Sequence, residues 1–419
     1  MKKYIIPVIL GGVMILAGCK KYAEGPLVPK AAYIRVFNDM PQGIDPLHTG
    51  QPNPFLTFLM DPHTDAQGVA DTGAIVGDFM ATRELYSLSY PINEANNSIG
   101  HTTVDERGQI VQVDLTPVNM EYPGNAHVLT APAINGFDLS AWAAVPSGKH
   151  RILFVSRPKS NLYFSQLSVA IRQRVLIDTV VDLQPGEVYT MEAVSRDLDN
   201  GQYGLYIRRE AFTHQAFEEN KLYVGFVNLS GAEPLTSKYG FTNRFSDRTT
   251  IYATYNIYDD IGNMGQAGNV AYIPYPGYNQ AYYTTLQTRM DTSIAYLSLP
   301  MLPQSSFFLQ DSVRSYMNGL TSAGGGSLGY GTLPHVFFNL HDANNVTPDF
   351  TLRCSADPRT FNRYDPYVTI APLYTPNLNL LVNTGSKWQA YSTVNIMEMV
   401  YDRVYMMQIQ RGFNELPKN

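Results

Sequence analysis

Apolar and polar side chains alternate along much of this chain, in short runs that are rich in Ile, Val, Tyr and Phe. A period of two places every second side chain on the same face of an extended strand, whereas the spacing of an amphipathic helix is scarce here. Pro, Gly, Asn and Asp bound the runs, as they do at 33–37, 151–155 and 250–255. The pattern predicts an all-β protein, with helix limited to short pieces such as 311–319.

Three segments of the chain repeat one order of features. Each begins with an apolar strand that ends in Asn, continues into a strand that reaches a Pro-containing turn, and finishes with a late strand. The opening strands are 34–38, 224–228 and 335–339, and the late strands are 183–191, 302–309 and 402–407. This order predicts tandem β-sandwich modules at 32–215 (with a long insertion), 221–331 and 333–419. The alternative is that 221–419 forms one domain, which would leave two modules.

The amino-terminal residues combine a basic start with a short apolar run. Lys2 and Lys3 precede the run 4–16, and the sequence Leu-Ala-Gly-Cys then ends at Cys19. The run is shorter than the roughly 20 residues of a transmembrane helix, but it suits the apolar region of a secretory signal. The Leu-Ala-Gly-Cys motif resembles the bacterial lipobox, and the resemblance implies cleavage before Cys19 and lipid on its thiol and new amino group. We therefore expect a signal peptide at 1–18 and a lipid-anchored tether at 19–31.

The expected lipid anchor would hold the protein at the outer membrane. The membrane is therefore its first expected partner. In Bacteroidota-type lipoproteins, acidic residues just after the Cys often mark transport to the cell surface. Lys20 and Lys21 follow here instead, so the periplasmic face and the cell-surface face both stay open. Cys354 would be the only thiol left after acylation of Cys19, so no intramolecular disulfide is expected. We interpret Cys354 as a small buried hydrophobe.

The composition of the chain narrows the classes of function. Hydrophobic residues make up 44% of the 419 positions and aromatic residues 12%, which excludes disorder over most of the length. The 30 Lys and Arg residues face 36 Asp and Glu residues, for a net charge of −6. Because no basic excess exists to neutralise a phosphate backbone, no nucleic-acid partner is expected.

The order of elements resembles the domain-of-unknown-function family 4397, which occurs in exported lipoproteins. In that family an opening strand of the type Val-Arg-Val-Val-Asn leads to a Pro/Ala-Gly turn, and a Gly-x-x-Tyr-Thr strand comes late. The matching segments of this chain are 33–38, 146–148 and 186–190. The resemblance implies tandem immunoglobulin-like β-sandwich modules and brings no established activity with it.

The sequence carries no motif of the common catalytic sites. It lacks the His-Glu-x-x-His zinc motif, the P-loop and a Gly-x-Ser-x-Gly elbow in a strand–turn–helix setting. Three loops hold oxygen ligands that calcium prefers, at 61–65, 259–263 and 341–345. Asp, Asn and His also suit turns, so we interpret these loops as turns and expect neither a metal nor a cofactor. A glycoside hydrolase would need two facing carboxylates, and the sequence cannot choose a pair among 36 acids.

Aromatic residues crowd a Pro-rich segment in the middle of the chain. Pro274, Pro276 and Gly277 interrupt it, so the rings cannot all alternate into a sandwich, and some should face solvent. Exposed Tyr rings can stack on sugars or grip a protein partner. The candidate binding residues are Tyr272, Tyr275, Tyr278, Tyr282 and Tyr283. The alternative is that these rings cover a loop against the sheet.

Two short strings resemble the Asp-Ser/Thr-aliphatic acceptor of Bacteroidota-type O-glycosylation. They give Thr179 and Ser312 as possible acceptors. Together, these observations predict a non-catalytic cell-envelope lipoprotein that binds a glycan or an envelope protein. The alternative is a structural or adhesion subunit, fimbria-like or a spacer, in which the modules only extend reach. A carbohydrate-active enzyme is the third possibility.

Overall fold

We describe a computed structural model of the chain. It describes residues 26–41, 54–82, 102–104, 110–112, 119–197, 199–218, 220–231, 248–258, 272–287, 294–301, 335–342, 350–355, 378, 380–383, 388–401 and 403–411. Strands account for 59% of the structure and helices for 5%, which confirms the all-β prediction. The predicted helical piece 311–319 lies outside these ranges. Within the same ranges, no helix is long and apolar enough to cross a membrane.

The strands are numbered in chain order. They are β1 (Ala31–Asn38), β2 (Leu56–Thr64), β3 (Ala70–Met80), β4 (Thr102–Val104), β5 (Ile110–Gln112), β6 (Glu121–Tyr122), β7 (Ala143–Pro146), β8 (Gly148–Ser156), β9 (Val175–Leu183), β10 (Val188–Asp197), β11 (Gln202–Arg209), β12 (Lys221–Asn228), β13 (Arg248–Tyr258), β14 (Tyr272–Pro274), β15 (Ala281–Gln287), β16 (Leu297–Pro300), β17 (His335–Asp342), β18 (Phe350–Ser355), β19 (Leu380–Asn383), β20 (Trp388–Tyr391), β21 (Thr393–Val400) and β22 (Arg403–Gln410). Short helical turns lie at Phe164–Gln166, Val169–Arg172 and Ala211–His214.

Most of these strands belong to four sheets. Sheet I has the order β3-β2-β8-β9, and sheet II has the order β11-β10-β1-β6, with β7 also paired to β1. Sheet III has the order β16-β12-β21-β22, and sheet IV has the order β14-β13-β17-β18, with β15 also paired to β13. Two further pairs are β4–β5 and β19–β20.

Sheet I packs against sheet II, and sheet IV packs against sheet III, in each case through alternating apolar side chains. Ile34 of sheet II meets Phe58 and Phe154 of sheet I, and this core forms the first sandwich. Phe226 of sheet III meets Phe338 of sheet IV, with ring centroids 5.0 Å apart, and this core forms the second sandwich. Every second side chain along each strand points into the sandwich core, as the period of two requires.

Sheets II and III also pack against each other through their other faces. This third core, which we call the junction, contains Tyr33 and Val188 from sheet II, and Val227 and Ile396 from sheet III. Sheets II and III are therefore covered on both sides, and the four sheets form a stack of four layers. We call sheets II and III the inner sheets, and sheets I and IV the outer sheets. Burial on two faces explains why every residue of β1 and β21 is buried.

The same pairing order occurs in both sandwiches. In the first, β1 pairs parallel with β10, which pairs antiparallel with β11; in the second, β12, β21 and β22 pair in the same way. The outer sheets also correspond, since β2 pairs with β3 and β8, and β13 pairs with β15 and β17. The repeated order accounts for the likeness between the opening strands 34–38 and 224–228, which are β1 and β12.

The predicted modules 221–331 and 333–419 contribute strands to the same two sheets. Strand β12 pairs with β21, and β13 pairs with β17. The segment 335–339, which opens the third predicted module, lies in an outer sheet as β17, whereas the opening strands β1 and β12 lie in inner sheets. The division into modules stays a prediction, and these pairings favour its alternative, in which 221–419 forms one domain.

Candidate functional site

The five predicted tyrosines do not lie on one surface. Tyr282 is on β15 with 61% of its surface exposed, whereas the next residue, Tyr283, points into the core of the second sandwich. The hydroxyl of Tyr283 donates to the Val224 carbonyl oxygen at 2.9 Å, and burial raises the pKa of Tyr283. Neighbouring residues of a strand face opposite sides of a sheet, and this rule separates the two rings.

Tyr275 and Tyr278 cover the edge of the same core. Both are half-buried, and the Tyr275 ring stacks on Tyr255 with centroids 5.9 Å apart. The Tyr278 hydroxyl donates to the Ser298 carbonyl oxygen at 2.6 Å. Gly277, with φ +84°, provides the left-handed backbone that this turn requires. Tyr272 lies on β14, and its side chain is outside the described part. A binding role for these tyrosines stays a prediction.

Tyr282 belongs to a row of three aromatic rings on the outer face of sheet IV. Its centroid lies 6.0 Å from that of Tyr252 on β13, and Tyr252 lies 5.5 Å from His341 on β17. We call Tyr282, Tyr252 and His341 the aromatic row. The strand pairing places the three rings side by side, because Tyr252 pairs with Tyr282 on β15. On its other side, Tyr252 pairs with Asn339, two positions from His341 on β17.

Hydroxyl groups surround the aromatic row. Thr250 and Thr285 share a hydrogen bond of 3.2 Å, and the Tyr282 hydroxyl lies 3.3 Å from the Thr285 hydroxyl oxygen. Asn339 is half-buried on the same face, since its neighbours on β17 point into the core. Ring faces can pack on the apolar face of a sugar while hydroxyl and amide groups bond to its polar edge. This surface is the candidate binding site of the molecule.

Tyr252 and His341 were not among the residues predicted to bind. Tyr252 lies in a run that the sequence predicts as a strand. His341 lies in the segment 341–345, which the sequence predicts as a turn, but the structure places His341 and Asp342 in strand β17. A partial signal was present, because aromatic or polar residues alternate with apolar ones in both strands. The pairing that brings these strands together could not be read from one sequence.

The loop 61–65 does not gather its oxygen ligands around one point. Asp61 accepts from the His150 ring at 2.7 Å and from the Arg151 backbone, whereas His63 bonds to Asp71 at 2.8 Å. The hydrogen bond from His63 lowers the pKa of Asp71. Asp65 caps its own turn by accepting from the Gln67 and Val69 backbone N–H groups. The predicted turn role fits Asp65, whereas 61–64 belong to strand β2, in which Asp61 has left-handed backbone with φ +51°. The loop 259–263 lies outside the described part, as do the last three residues of 341–345.

One group of three carboxylates lies close together in the described part of the chain. Oxygens of Asp39, Glu192 and Glu398 lie within 4.8 Å of one another, buried in the junction. The guanidinium of Arg208 donates to Glu192 at 3.0 Å and to Glu398 at 2.5 Å, and so supplies positive charge at this point. We assign no metal to this group.

Two predicted modification sites, Cys19 and Ser312, lie outside the described residues. Thr179 is half-buried on β9, an edge strand of sheet I. Its neighbour Asp178 accepts two hydrogen bonds from Arg151, at 2.9 and 2.7 Å. O-glycosylation at Thr179 stays a prediction. Cys354 is buried on β18, and burial raises the pKa of its thiol, which favours the protonated, unreactive form.

Comparison with protein-family models and with curated protein sequences gives no match for this chain. The resemblance to the domain-of-unknown-function family 4397 stays a prediction that rests on the motifs quoted above.

Proposed function

We propose that this protein is a non-catalytic lipoprotein of the cell envelope that binds a glycan through the outer face of sheet IV. The aromatic row carries the proposal. Tyr282 is largely exposed, and the half-buried rings of Tyr252 and His341 continue the row beside it. Aromatic rings exposed together beside hydroxyl groups suit a ligand that is apolar on one face and polar at its edge.

The proposal includes the location and the modular fold. A lipid on Cys19 would hold the chain at the outer membrane, and the tether 19–31 would connect it to β1. We also propose that the two sandwiches are immunoglobulin-like modules of one kind. Their facing sheets and their shared pairing order support this. Mass spectrometry of the protein from membranes tests the anchor, since an unmodified Cys19 would contradict it.

The binding proposal is tested with a glycan array on the purified protein, followed by affinity measurements on the best glycan. We expect Tyr282→Ala and Tyr252→Ala each to weaken binding by about 2- to 13-fold, because an aromatic contact contributes roughly 0.5–1.5 kcal/mol. The matched control is Tyr163→Ala. Tyr163 has the same exposed fraction, 61%, but lies on the first sandwich, where its ring contacts Phe79.

Three results distinguish the possibilities. Loss of affinity with the two sheet IV variants and not with Tyr163→Ala supports the proposal. Equal losses with all three variants, or none, would place the binding surface elsewhere. An array without any bound glycan would contradict a glycan ligand.

A further inference from the structure

A basic segment lies on the outer face of sheet I, between β8 and β9. Residues 157–174, which we call the strap, contain four Lys or Arg residues and no Asp or Glu, although the chain carries a net charge of −6. The strap includes the helical turns Phe164–Gln166 and Val169–Arg172. A local excess of positive charge in an acidic chain points to an anionic partner.

Buried side chains fix the strap to the sheet. Phe164 and Leu167 pack on Leu153 of β8, on the face of sheet I that points away from the core of the first sandwich. The backbone N–H of Phe164 also donates to the Asp78 carboxylate of β3 at 2.6 Å. The strap is therefore a fixed ridge on the outer face of sheet I.

The four basic residues of the strap are of two kinds. Arg157 and Arg172 hold the strap in place, since Arg157 pairs with the buried Asp78 and Arg172 donates to a carbonyl oxygen of β3 at 2.8 Å. Lys159 and Arg174 are exposed and lie near the two ends of the strap. These two side chains can contact an anionic surface.

Three apolar or aromatic side chains of the strap also face solvent. Leu162, Tyr163 and Val169 are 49%, 61% and 47% exposed. A single exposed apolar residue needs no explanation, but three that project from one fixed segment between two cations are typical of a segment that lies in a membrane interface. There, Lys and Arg contact lipid phosphates, Tyr lies at the level of the headgroups, and aliphatic side chains point toward the acyl chains.

The charges on the neighbouring part of the same face are arranged differently. Lys149 on β8 lies directly opposite Asp182 on β9, and Arg151 donates two hydrogen bonds to Asp178. These opposite charges offset one another, whereas the strap has no acidic residue within its own segment. The strap is therefore the part of this face that is best suited to an anionic surface.

We propose that the strap docks the first sandwich onto an anionic phospholipid bilayer, with its two exposed cations at the lipid phosphates and its three exposed apolar side chains among the headgroups. The position of the strap fits the lipid anchor, and this step alone rests on the function proposed above. Strand β1, to which the tether leads, belongs to sheet II, one sheet spacing of about 10 Å behind sheet I. Residues 19–25 can span at most about 25 Å, so a lipid on Cys19 can reach a bilayer that the strap contacts.

Docking through the strap also orients the candidate binding site. Sheets I and IV are the two outer layers of the stack, so a bilayer at the outer face of sheet I lies at the opposite end from the outer face of sheet IV. The aromatic row then faces away from the membrane that holds the protein.

Fluorescence quenching tests the docking on the purified full chain, reconstituted into vesicles. Tyr163→Trp places a reporter on the strap, and Tyr282→Trp, at a position with the same exposed fraction of 61%, is the matched control on sheet IV. The vesicles contain phosphatidylcholine with brominated acyl chains, with or without phosphatidylglycerol, and the emission of the wild type is subtracted. We expect quenching at position 163 only in vesicles with phosphatidylglycerol, and none at position 282.

Two pairs of substitutions assign the docking to the charges of the strap. At the phosphatidylglycerol content that gives half-maximal quenching, Lys159→Gln with Arg174→Gln should lower the ratio of docked to undocked strap by about 30-fold, because each cation near an anionic surface contributes roughly 1 kcal/mol. Arg209→Gln with Lys221→Gln is the control, since it removes the same charge from outside the strap. It should leave the quenching of the reporter unchanged.

Acetylation of lysines in the wild type gives an answer that needs no variant. Phosphatidylglycerol in the vesicles should slow the acetylation of Lys159, whereas Lys221 on the second sandwich should react at the same rate with and without it.

The proposal is overturned if position 163 stays unquenched, if positions 163 and 282 are quenched equally, if both charge pairs have the same effect, or if acetylation of Lys159 is unchanged. A strap that does not dock would suit a protein partner instead. An unmodified Cys19 would contradict the anchor but leave these measurements valid, so the two failures can be told apart.

Discussion

At the scale of single residues, burial decides what an ion pair contributes. Arg157 pairs with Asp78 where neither side chain is more than 8% exposed, and its guanidinium lies 4.8 Å from the centroid of the Phe79 ring. Arg157→Met should reduce the free energy of unfolding by about 3–5 kcal/mol, because it leaves a buried carboxylate without its cation. Denaturation by urea, followed by circular dichroism, measures the loss.

A second Arg–Asp pair on the same sheet is the control for this prediction. Arg151 donates two hydrogen bonds to Asp178, and both side chains are about half exposed, at 47% and 48%. Water already solvates both charges, so Arg151→Met should cost no more than about 1 kcal/mol. Similar losses for the two variants would show that burial of Arg157 adds nothing to its pair.

At the scale of elements, the sequence predicts strands well and their surroundings poorly. The runs 33–37, 151–155 and 250–255 all lie in strands, and Gly148, at the predicted turn, has φ +124°. Strand β10 shows the limit. Its polar residues Thr190 and Glu192 alternate with apolar ones, as in a strand with one wet face, yet both are fully buried. Alternation reveals that a strand has two different faces, and it does not reveal that one face meets water.

The junction also limits the size of a side chain on β12. A Cβ added at Gly225 would lie 2.3 Å from Cγ2 of Ile294 and 3.1 Å from the Tyr296 ring. Both neighbours belong to or pack against the junction core, so they cannot move aside freely. We expect Gly225→Ala to lower the free energy of unfolding by about 1–3 kcal/mol through overpacking.

Removing the neighbour separates this clash from other effects of the substitution. Ile294→Ala in the Gly225→Ala background shortens the side chain that the new Cβ meets. The double variant should therefore lose less stability than the two single losses combined. Additive losses in urea denaturation would show that contact with Ile294 is not the cause.

At the scale of the whole molecule, the sequence predicts one part of the candidate site and misses the rest. The sequence gives Tyr282 as one of five candidate tyrosines, of which some should face solvent, and the structure exposes it. Its partners Tyr252 and His341 are about 30 and 60 positions away along the chain, and only the pairing of β13 with β15 and β17 brings them together. The pairing of distant strands depends on the whole set of strands. A single sequence therefore predicts where the strands lie along the chain, but not the order in which they pair in a sheet.

Because they share the junction, we also expect the two sandwiches to unfold together. Sheets II and III bury their faces in one another, so losing either sandwich would expose a large apolar surface of its neighbour. Cys354 reports on this, because it is buried in the second sandwich, whereas Arg157 stabilises the first. The rate at which a thiol reagent labels a buried Cys follows the population of the open state.

We therefore expect Arg157→Met to speed the labelling of Cys354, quantified by mass spectrometry of its peptide, although the two residues lie in different sandwiches. If unfolding is cooperative, a loss of about 3 kcal/mol in the first sandwich raises the open population of the second by about 100-fold. Arg151→Met should leave the rate within about fivefold of the wild type, since its loss is no more than about 1 kcal/mol. A labelling rate that Arg157→Met leaves unchanged would mean that the second sandwich opens alone, and the junction would then be a contact between independent domains.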